Sequence, residues 1–181
     1  KVDGSTIRKE WGFTEADKVV LYAGNMGAKQ GLEMVLDAAA EYQKKSEFCG
    51  EVKFVFVGAG AHVDALKQQA TELQLENVIF KPLQSWEDVP AMLAMADVHL
   101  VILSAGGNAV VTAEQETELG RLTEQFPGIY TLAEPEDLAA FVSALEIELV
   151  KQKQDKENCN HVARDYAEQY LNKDAILSDF L

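Results

Sequence analysis

Four short apolar runs, Val19–Tyr22 (VVLY), Val52–Val57 (VKFVFV), Val78–Phe80 (VIF) and Val98–Leu103 (VHLVIL), are separated by segments of helical periodicity. This alternation constrains the fold more than any other feature. A parallel crossover needs about a dozen residues or more, and each intervening segment supplies them. The first places Leu32, Val35, Leu36, Ala39 and Tyr42 on one face and should end near Lys45. The second carries Val63, Leu66, Ala70 and Leu73 inward, and the third Val89, Met92, Leu93 and Ala96. Val52–Val57 is almost continuously apolar and stops at Gly58-Ala59-Gly60, the pattern of a central strand buried on both faces. The order βαβαβαβ implies right-handed crossovers and a parallel sheet layered by helices.

Punctuation supports the same reading. Pro82 ends the third run, and Ser85 with Asp88 reads as a capping box for the helix that follows. Trp86, Met92 and Met95 are read as core or sheet-covering residues of that helix. The opening segment, with Ile7 and Trp11, is a short helix or linker. Because the first residue is Lys1 rather than Met, the chain is taken as an excised or processed portion.

After Leu103 the alternation breaks. Ala109–Thr112 (AVVT) reads as a fifth buried strand, but only Ser104–Asn108 separates it from the fourth, too little for a parallel crossover. Either the two strands are antiparallel neighbours or residues are absent between Leu103 and Asn108. The second is preferred, since Ser104-Ala105-Gly106-Gly107 looks like the tail of a helix. Beyond lie a helix over Glu116–Gln125 (Leu119, Leu122), a last strand over Ile129–Leu132, and a long helix begun by Pro135 and lined by Leu138, Phe141, Val142, Leu145 and Leu149. Lys151–Asn160 reads as a loop or frayed turn, followed by helices over His161–Tyr170 and Asp174–Leu181.

Charge narrows the function. Sixteen Lys and Arg against 30 Asp and Glu give a formal net charge of −14, which argues against a nucleic-acid or anionic-membrane surface. A phosphate-bearing ligand must then be held locally. Cys49 and Cys159 belong to no CxxC pattern, so neither a disulfide framework nor a zinc site is suggested, and the reduced cytosol is the default compartment. No apolar run approaches the roughly 18–20 residues of a membrane span. No signal-peptide pattern opens the chain.

The stretch Val19–Gly31 (VVLYAGNMGAKQG) is strand, glycine-punctuated turn and helix start. Backbone N–H groups and a helix dipole converge on anions at such a turn. Gly24-Asn25-Met26-Gly27 is neither GxGxxG nor a P-loop, which counts against nicotinamide and NTP-hydrolysing chemistry. Glycines there serve the turn alone about as often. Lys29 stands where it could meet a diphosphate, although such a lysine is commonly a solvated surface residue. Gly58-Ala59-Gly60 ends a second strand at the same edge, either to make space for a ligand or as a plain turn. His62, His99 and His161 share no metal-ligand spacing, and His99 reads as a satisfied core residue. Glu114, Glu116 and Glu118 cluster after the fifth strand, where Glu118 could accept ribose hydroxyls or simply answer a helix dipole.

In order and spacing, Leu21–Ala39 (LYAGNMGAKQGLEMVLDAA), Val52–Gly60 (VKFVFVGAG) and Asn77–Val101 resemble the nucleotide-sugar-binding C-terminal half of family 4 retaining glycosyltransferases. Ala109–Leu122 (AVVTAEQETELGRL), Glu134–Val142 (EPEDLAAFV) and Ala163–Leu177 extend the likeness over almost the whole chain. Bacterial exopolysaccharide and colanic-acid transferases are the most similar subset. The resemblance implies one α/β, Rossmann-like, three-layer domain over residues 1–181. Its parallel sheet would have about six strands with helices on both faces, one half of a GT-B fold. It also implies a UDP- or GDP-sugar donor, with the acceptor bound by an absent N-terminal domain and the isolated domain inactive.

On that resemblance Lys29 would be the catalytic lysine that neutralises the leaving group. Gly24, Asn25, Gly27 and Gly58 would hold the diphosphate, Lys81-Pro82-Leu83 would meet the nucleobase, and Glu118 would lie near a donor contact. No metal and no cofactor are expected. A cytoplasmic protein is implied, with any peripheral attachment to the inner membrane face made through the missing domain. Asn25 stands where many members carry arginine, which would leave the cationic clamp incomplete. The family's further donor-binding side chains fall in the gap after Leu103. The rival readings are an idle nucleotide-binding or regulatory module of the same fold and a sugar-nucleotide epimerase.

Overall fold

The computed structural model describes residues 3–44, 51–100, 108–154 and 159–170. The chain divides into two compact units, Lys1–Leu100 and Val101–Leu181.

In the first unit α1 (Ser5–Glu10) is followed by β1 (Lys18–Asn25), α2 (Glu33–Lys44), β2 (Val52–Ala59), α3 (Val63–Glu72), β3 (Val78–Lys81), α4 (Val89–Ala94) and β4 (Val98–Leu100). The strands lie in the order β3-β2-β1-β4, and every pair is parallel. β1 and β2 are in register from Lys18↔Val52 to Asn25↔Ala59, so the two strands begin and end together.

The apolar runs are continuous because both faces of these strands are covered. No residue of Val19–Leu21 is more than 1 % exposed, and none of Phe54–Val57 more than 2 %. Alternate side chains take opposite faces. Val19, Leu21, Val55 and Val57 pack with Ile7, Met92, Met95 and Ala96, which puts α1 and α4 on one face. On the other, the Tyr42 ring of α2 lies 5.8 Å from Phe54, and α2 packs against β2 and α3. Full burial contributes about 1.5–3 kcal/mol per large apolar side chain, so these two layers dominate the unit's stability.

A polar hub fastens α1 to the sheet. Arg8 Nη1 donates to Met95 O at 2.8 Å and to Asp97 Oδ2 at 3.1 Å, and the same carboxylate oxygen accepts the Val19 N–H at 2.7 Å. The opening segment is therefore part of the unit rather than a linker.

The second unit holds β5 (Ala109–Thr112), α5 (Glu118–Gln125), β6 (Thr131–Ala133), α6 (Leu138–Gln154) and α7 (His161–Tyr170). β5 and β6 pair in parallel, Val110 with Thr131. Phe141, Val142, Leu145 and Leu149 of α6 are buried, and α6 packs on both strands. Ala109, Val111, Ile129 and Tyr130 cluster instead with Ala163 of α7, helped by Phe126 and Tyr166, whose rings meet edge-on at 5.0 Å. Six parallel strands and seven helices are thus described in an α/β, Rossmann-like arrangement.

Several boundaries differ from the sequence reading. The polar run from Lys151 continues α6 to Gln154, because Lys151 turns back to Glu148 at 2.6 Å and helps satisfy a fully buried carboxylate. α5 starts at Glu118, since Thr117 Oγ1 caps it by accepting the Gly120 N–H. β6 begins two residues later than expected, at Thr131. α6 starts at Leu138 rather than at Pro135, with Asp137 accepting the Ala140 N–H at 2.9 Å. Ser85 Oγ donates to the Asp88 carboxylate at 2.8 Å and accepts the Asp88 N–H at 3.3 Å, half of the expected capping box, but these bonds close the turn before α4, which starts at Val89.

Trp86 belongs to the turn before α4 and is 90 % exposed, not a core residue. Leu73, expected inward, is the exposed C-cap of α3. The break at Leu103–Gly107 and the helix expected over Asp174–Leu181 lie outside the described residues.

Candidate functional site

β1 and β2 end together, Gly24 opposite Gly58 and Asn25 opposite Ala59, so their loops leave the same edge of the sheet. Strand order reverses between β1 and β4, the place where open α/β sheets leave a crevice at the strand carboxyl ends. The two loops lie backbone on backbone. Gly58 has φ +144°, and a Cβ on it would stand 2.0 Å from the Gly24 carbonyl oxygen; one on Gly60 would stand 2.2 Å from Met26 O. Glycine is needed at both places by the neighbouring loop itself.

Hydrogen bonds then fix the loop after β1. The Met26 N–H donates to Ala59 O at 2.9 Å, and the His62 N–H to Met26 O at 3.0 Å. The Tyr22 hydroxyl donates to Asn25 O at 2.7 Å, and burial raises its pKa, which keeps that donor protonated. Gln30 Oε1 accepts the Gly27 N–H at 2.9 Å. The Met26 and Gly27 N–H groups are thus already engaged before any ligand arrives. At the far end of the turn, His62 Nε2 lies 2.5 Å from Glu33 Oε1. The Glu33 carboxyl is held below its usual pKa by its own backbone N–H, against a smaller opposing effect of burial, with further help from His62.

A cleft of about 340 Å³ opens beside these loops, bounded by Met26, Gly58–Gly60, Lys67 and Phe80–Pro82. Phe80 stacks on Phe56 with ring centroids 5.0 Å apart, giving the cleft an aromatic wall tied to the sheet. Lys67 Nζ lies 5.9 Å from the Phe80 ring, and Lys81 Nζ 5.1 Å from that of Trp11. A flat heterocycle could rest on Phe80 and Pro82 with the Lys67 ammonium beside it for oxygen atoms, while the Lys81 ammonium lies on the α1 side of the sheet with Trp11.

The structure brings together Gly24, Asn25, Gly27, Gly58, Lys81 and Pro82 at this edge. Leu83 follows Pro82 but is 71 % exposed and does not line the cleft. The Lys29 backbone forms part of a 3₁₀ turn over Ala28–Gln30, while its side chain lies outside the described residues. Glu118 opens α5 in the second unit.

Sequence reasoning missed Tyr22, Gln30, Glu33, His62 and Lys67. The long-range partners carry no local pattern, although a glutamine three residues after a glycine turn is the one spacing that could have suggested a cap. His99 is a buried core residue of β4 as expected, but its Nδ1 has no hydrogen-bond partner. Burial lowers its pKa to about 4, against the opposing pull of Asp97 and the Leu93 backbone.

Residues 3–114 match the family described as glycosyl transferases group 1. The chain is 38% identical over 196 residues to WcaI of Escherichia coli (strain K12), a glycosyl transferase named for colanic acid biosynthesis. That match covers 99% of this chain and 46% of the relative, so the chain spans about half the relative's length.

Among solved structures, sucrose-phosphate synthase from Thermosynechococcus elongatus superposes with a TM-score of 0.77 at 18% identity, over 97% of this chain and 47% of that one. The C-terminal domain of a glycosyl transferase group 1 protein from Francisella tularensis superposes with a TM-score of 0.66 at 14% identity, over 96% of this chain and all of that one. These structural matches share the fold. With the family match spanning more than half of its residues, the chain belongs to the glycosyl transferases group 1 family.

Proposed function

We propose that this chain holds the nucleotide-sugar donor of a retaining hexosyltransferase and that a second domain supplies the acceptor. The observation that carries the reading is the cleft at the carboxyl ends of adjacent parallel strands, beside the glycine turn that leads to Lys29. Breaking a glycosyl–phosphate bond builds negative charge on the departing diphosphate and cationic character on the sugar. An ammonium carried by a fixed turn stabilises the first of these.

In this reading the turn from Gly24 to Gly27 faces the diphosphate, and Lys29 carries the charge that meets it. Asn25 and Gly58 complete that surface. Lys81 and Pro82 border the nucleobase, a uracil or guanine, largely through backbone groups against Phe80, and Lys67 is the cation beside the cleft. Leu83 extends this border outward. Glu118 enters on family resemblance alone, as a donor contact. The reading assigns the leaving-group charge to protein groups rather than to a metal. The likeness to WcaI, named for colanic acid biosynthesis, supports polysaccharide assembly as the setting, with a sugar or lipid-linked acceptor. No helix among the described residues is long and apolar enough to cross a membrane.

Isothermal titration of UDP and of GDP into the chain tests this. Saturable binding of one of them, unchanged by EDTA, is expected. Failure of both to bind at millimolar concentration would overturn the reading and favour an idle module of the same fold.

A further inference from the structure

We propose that His62 and Glu33 form a positioning latch for the donor diphosphate, pinning the far end of the turn after β1 to the loop after β2. The inference rests on the donor-site reading above. The turn has two ends. Its near end is fixed at Met26, whose N–H and carbonyl both bond the second loop, to Ala59 O and from the His62 N–H. Its far end is Glu33, the first residue of α2, and His62 reaches that residue through its side chain. One residue, His62, therefore grips both ends of the turn, by its backbone at Met26 and by its imidazole at Glu33.

Between the two anchors a glycine stands at each end of the 3₁₀ turn. Gly27 begins the segment, and Gly31 at φ +60° ends the 3₁₀ turn that carries Lys29. The Gly27 to Gln30 bond is internal to the segment and travels with it. Buried Leu32 helps hold the far end of this segment, and the His62–Glu33 contact is the side-chain tie from that end to the second loop. A latch is distinguishable from a stabilising contact by its exposure: the His62 and Glu33 side chains are 29% and 41% accessible. A pair this solvated adds little to global stability, so its removal should loosen the turn without unfolding the unit. The cost then falls on the ligand, which must order the segment itself.

The experiment compares His62→Ala, Glu33→Ala, the double variant and Glu33→Gln, using UDP and GDP as probes of the whole chain. Either alanine variant should bind the nucleotide about 3- to 10-fold more weakly, the size expected when a ligand must order a loop. The double variant should be no worse than either single one. Glu33→Gln should recover most of the loss, since its amide oxygen still accepts from His62. Amide hydrogen exchange should quicken over residues 27–32 and not in β1, while the urea midpoint hardly changes.

Unchanged affinity in both alanine variants, or additive losses in the double variant, would overturn the latch and leave the donor site standing. Affinity that falls only in step with the urea midpoint would reduce the pair to a structural role and likewise overturn it. If the unaltered chain binds neither nucleotide, the donor-site reading fails and the latch fails with it.

Discussion

His99 makes the stability of the first unit depend on pH in a way that can be worked out in advance. The imidazole is 4 % exposed, and burial lowers its pKa from 6.5 to about 4. In the unfolded chain the ring takes up a proton below about pH 6.5; in the folded unit it does so only near pH 4. Between those values the unfolded state binds more protons, so stability is present above pH 6.5 and is lost as pH falls toward 4. Integrating over one site gives a loss of about 2 kcal/mol between pH 7 and pH 5, approaching about 3 kcal/mol at pH 4.

His99→Gln keeps an N–H for the Leu93 carbonyl but does not titrate, so it should abolish this component. Urea unfolding followed by tryptophan fluorescence is the assay, because Trp11 and Trp86 both lie in the first unit. At a slope of about 2 kcal/mol/M, the midpoint of the unaltered chain should drop by about 1 M between pH 7 and pH 5. The drop in His99→Gln should be far smaller. Carboxylates such as Glu33 titrate alike in both proteins and cancel in the difference. Parallel drops in the two proteins would refute the reasoning.

Three further substitutions have outcomes set by geometry. Gly58→Ala puts a methyl 2.0 Å from the Gly24 carbonyl oxygen at φ +144°, so it should destabilise the first unit by more than about 4 kcal/mol in urea melts, whereas Gly24→Ala, with 3.3 Å to the Tyr22 hydroxyl, should cost far less. Asp97→Ala removes the acceptor shared by Arg8 and the Val19 N–H and should cost about 3 kcal/mol, read from the same melts. Thr117→Ala deletes the cap on α5 and should lower the second unit's stability by about 1 kcal/mol, measured by hydrogen exchange in α5.

The sheet of the first unit was legible in the sequence because its strands are covered on both faces. VVLY and VKFVFV could hardly be anything but central strands, and the glycines after them marked the edge where the cleft lies. Elements whose limits depend on side chains outside the periodic pattern were harder. The last turns of α6 look polar, yet Lys151 and Thr131 converge there on the buried Glu148 carboxylate. Trp86 reads as core when placed in the amphipathic helix of Met92 and Met95, but it sits in a turn that faces solvent.

At the site, the residue types and the edge of the sheet were readable, while the fastening of the loops was not. Tyr22 reaches Asn25, and His62 reaches back to Glu33, through contacts that only the folded register of β1 and β2 creates. Gly58 was read as room for a ligand or as a plain turn. The structure shows that its missing side chain makes room for the Gly24 carbonyl.

The central claim is that the turn carrying Lys29 receives the diphosphate of a sugar nucleotide. Its most direct test is a calorimetric comparison of UDP and GDP with uridine and guanosine, in the unaltered chain and in Lys29→Ala. The substitution should weaken binding of the preferred nucleoside diphosphate about tenfold or more, as expected for a lost charge-assisted contact, and leave the matching nucleoside unaffected. Equal diphosphate affinity in the two proteins would contradict the claim.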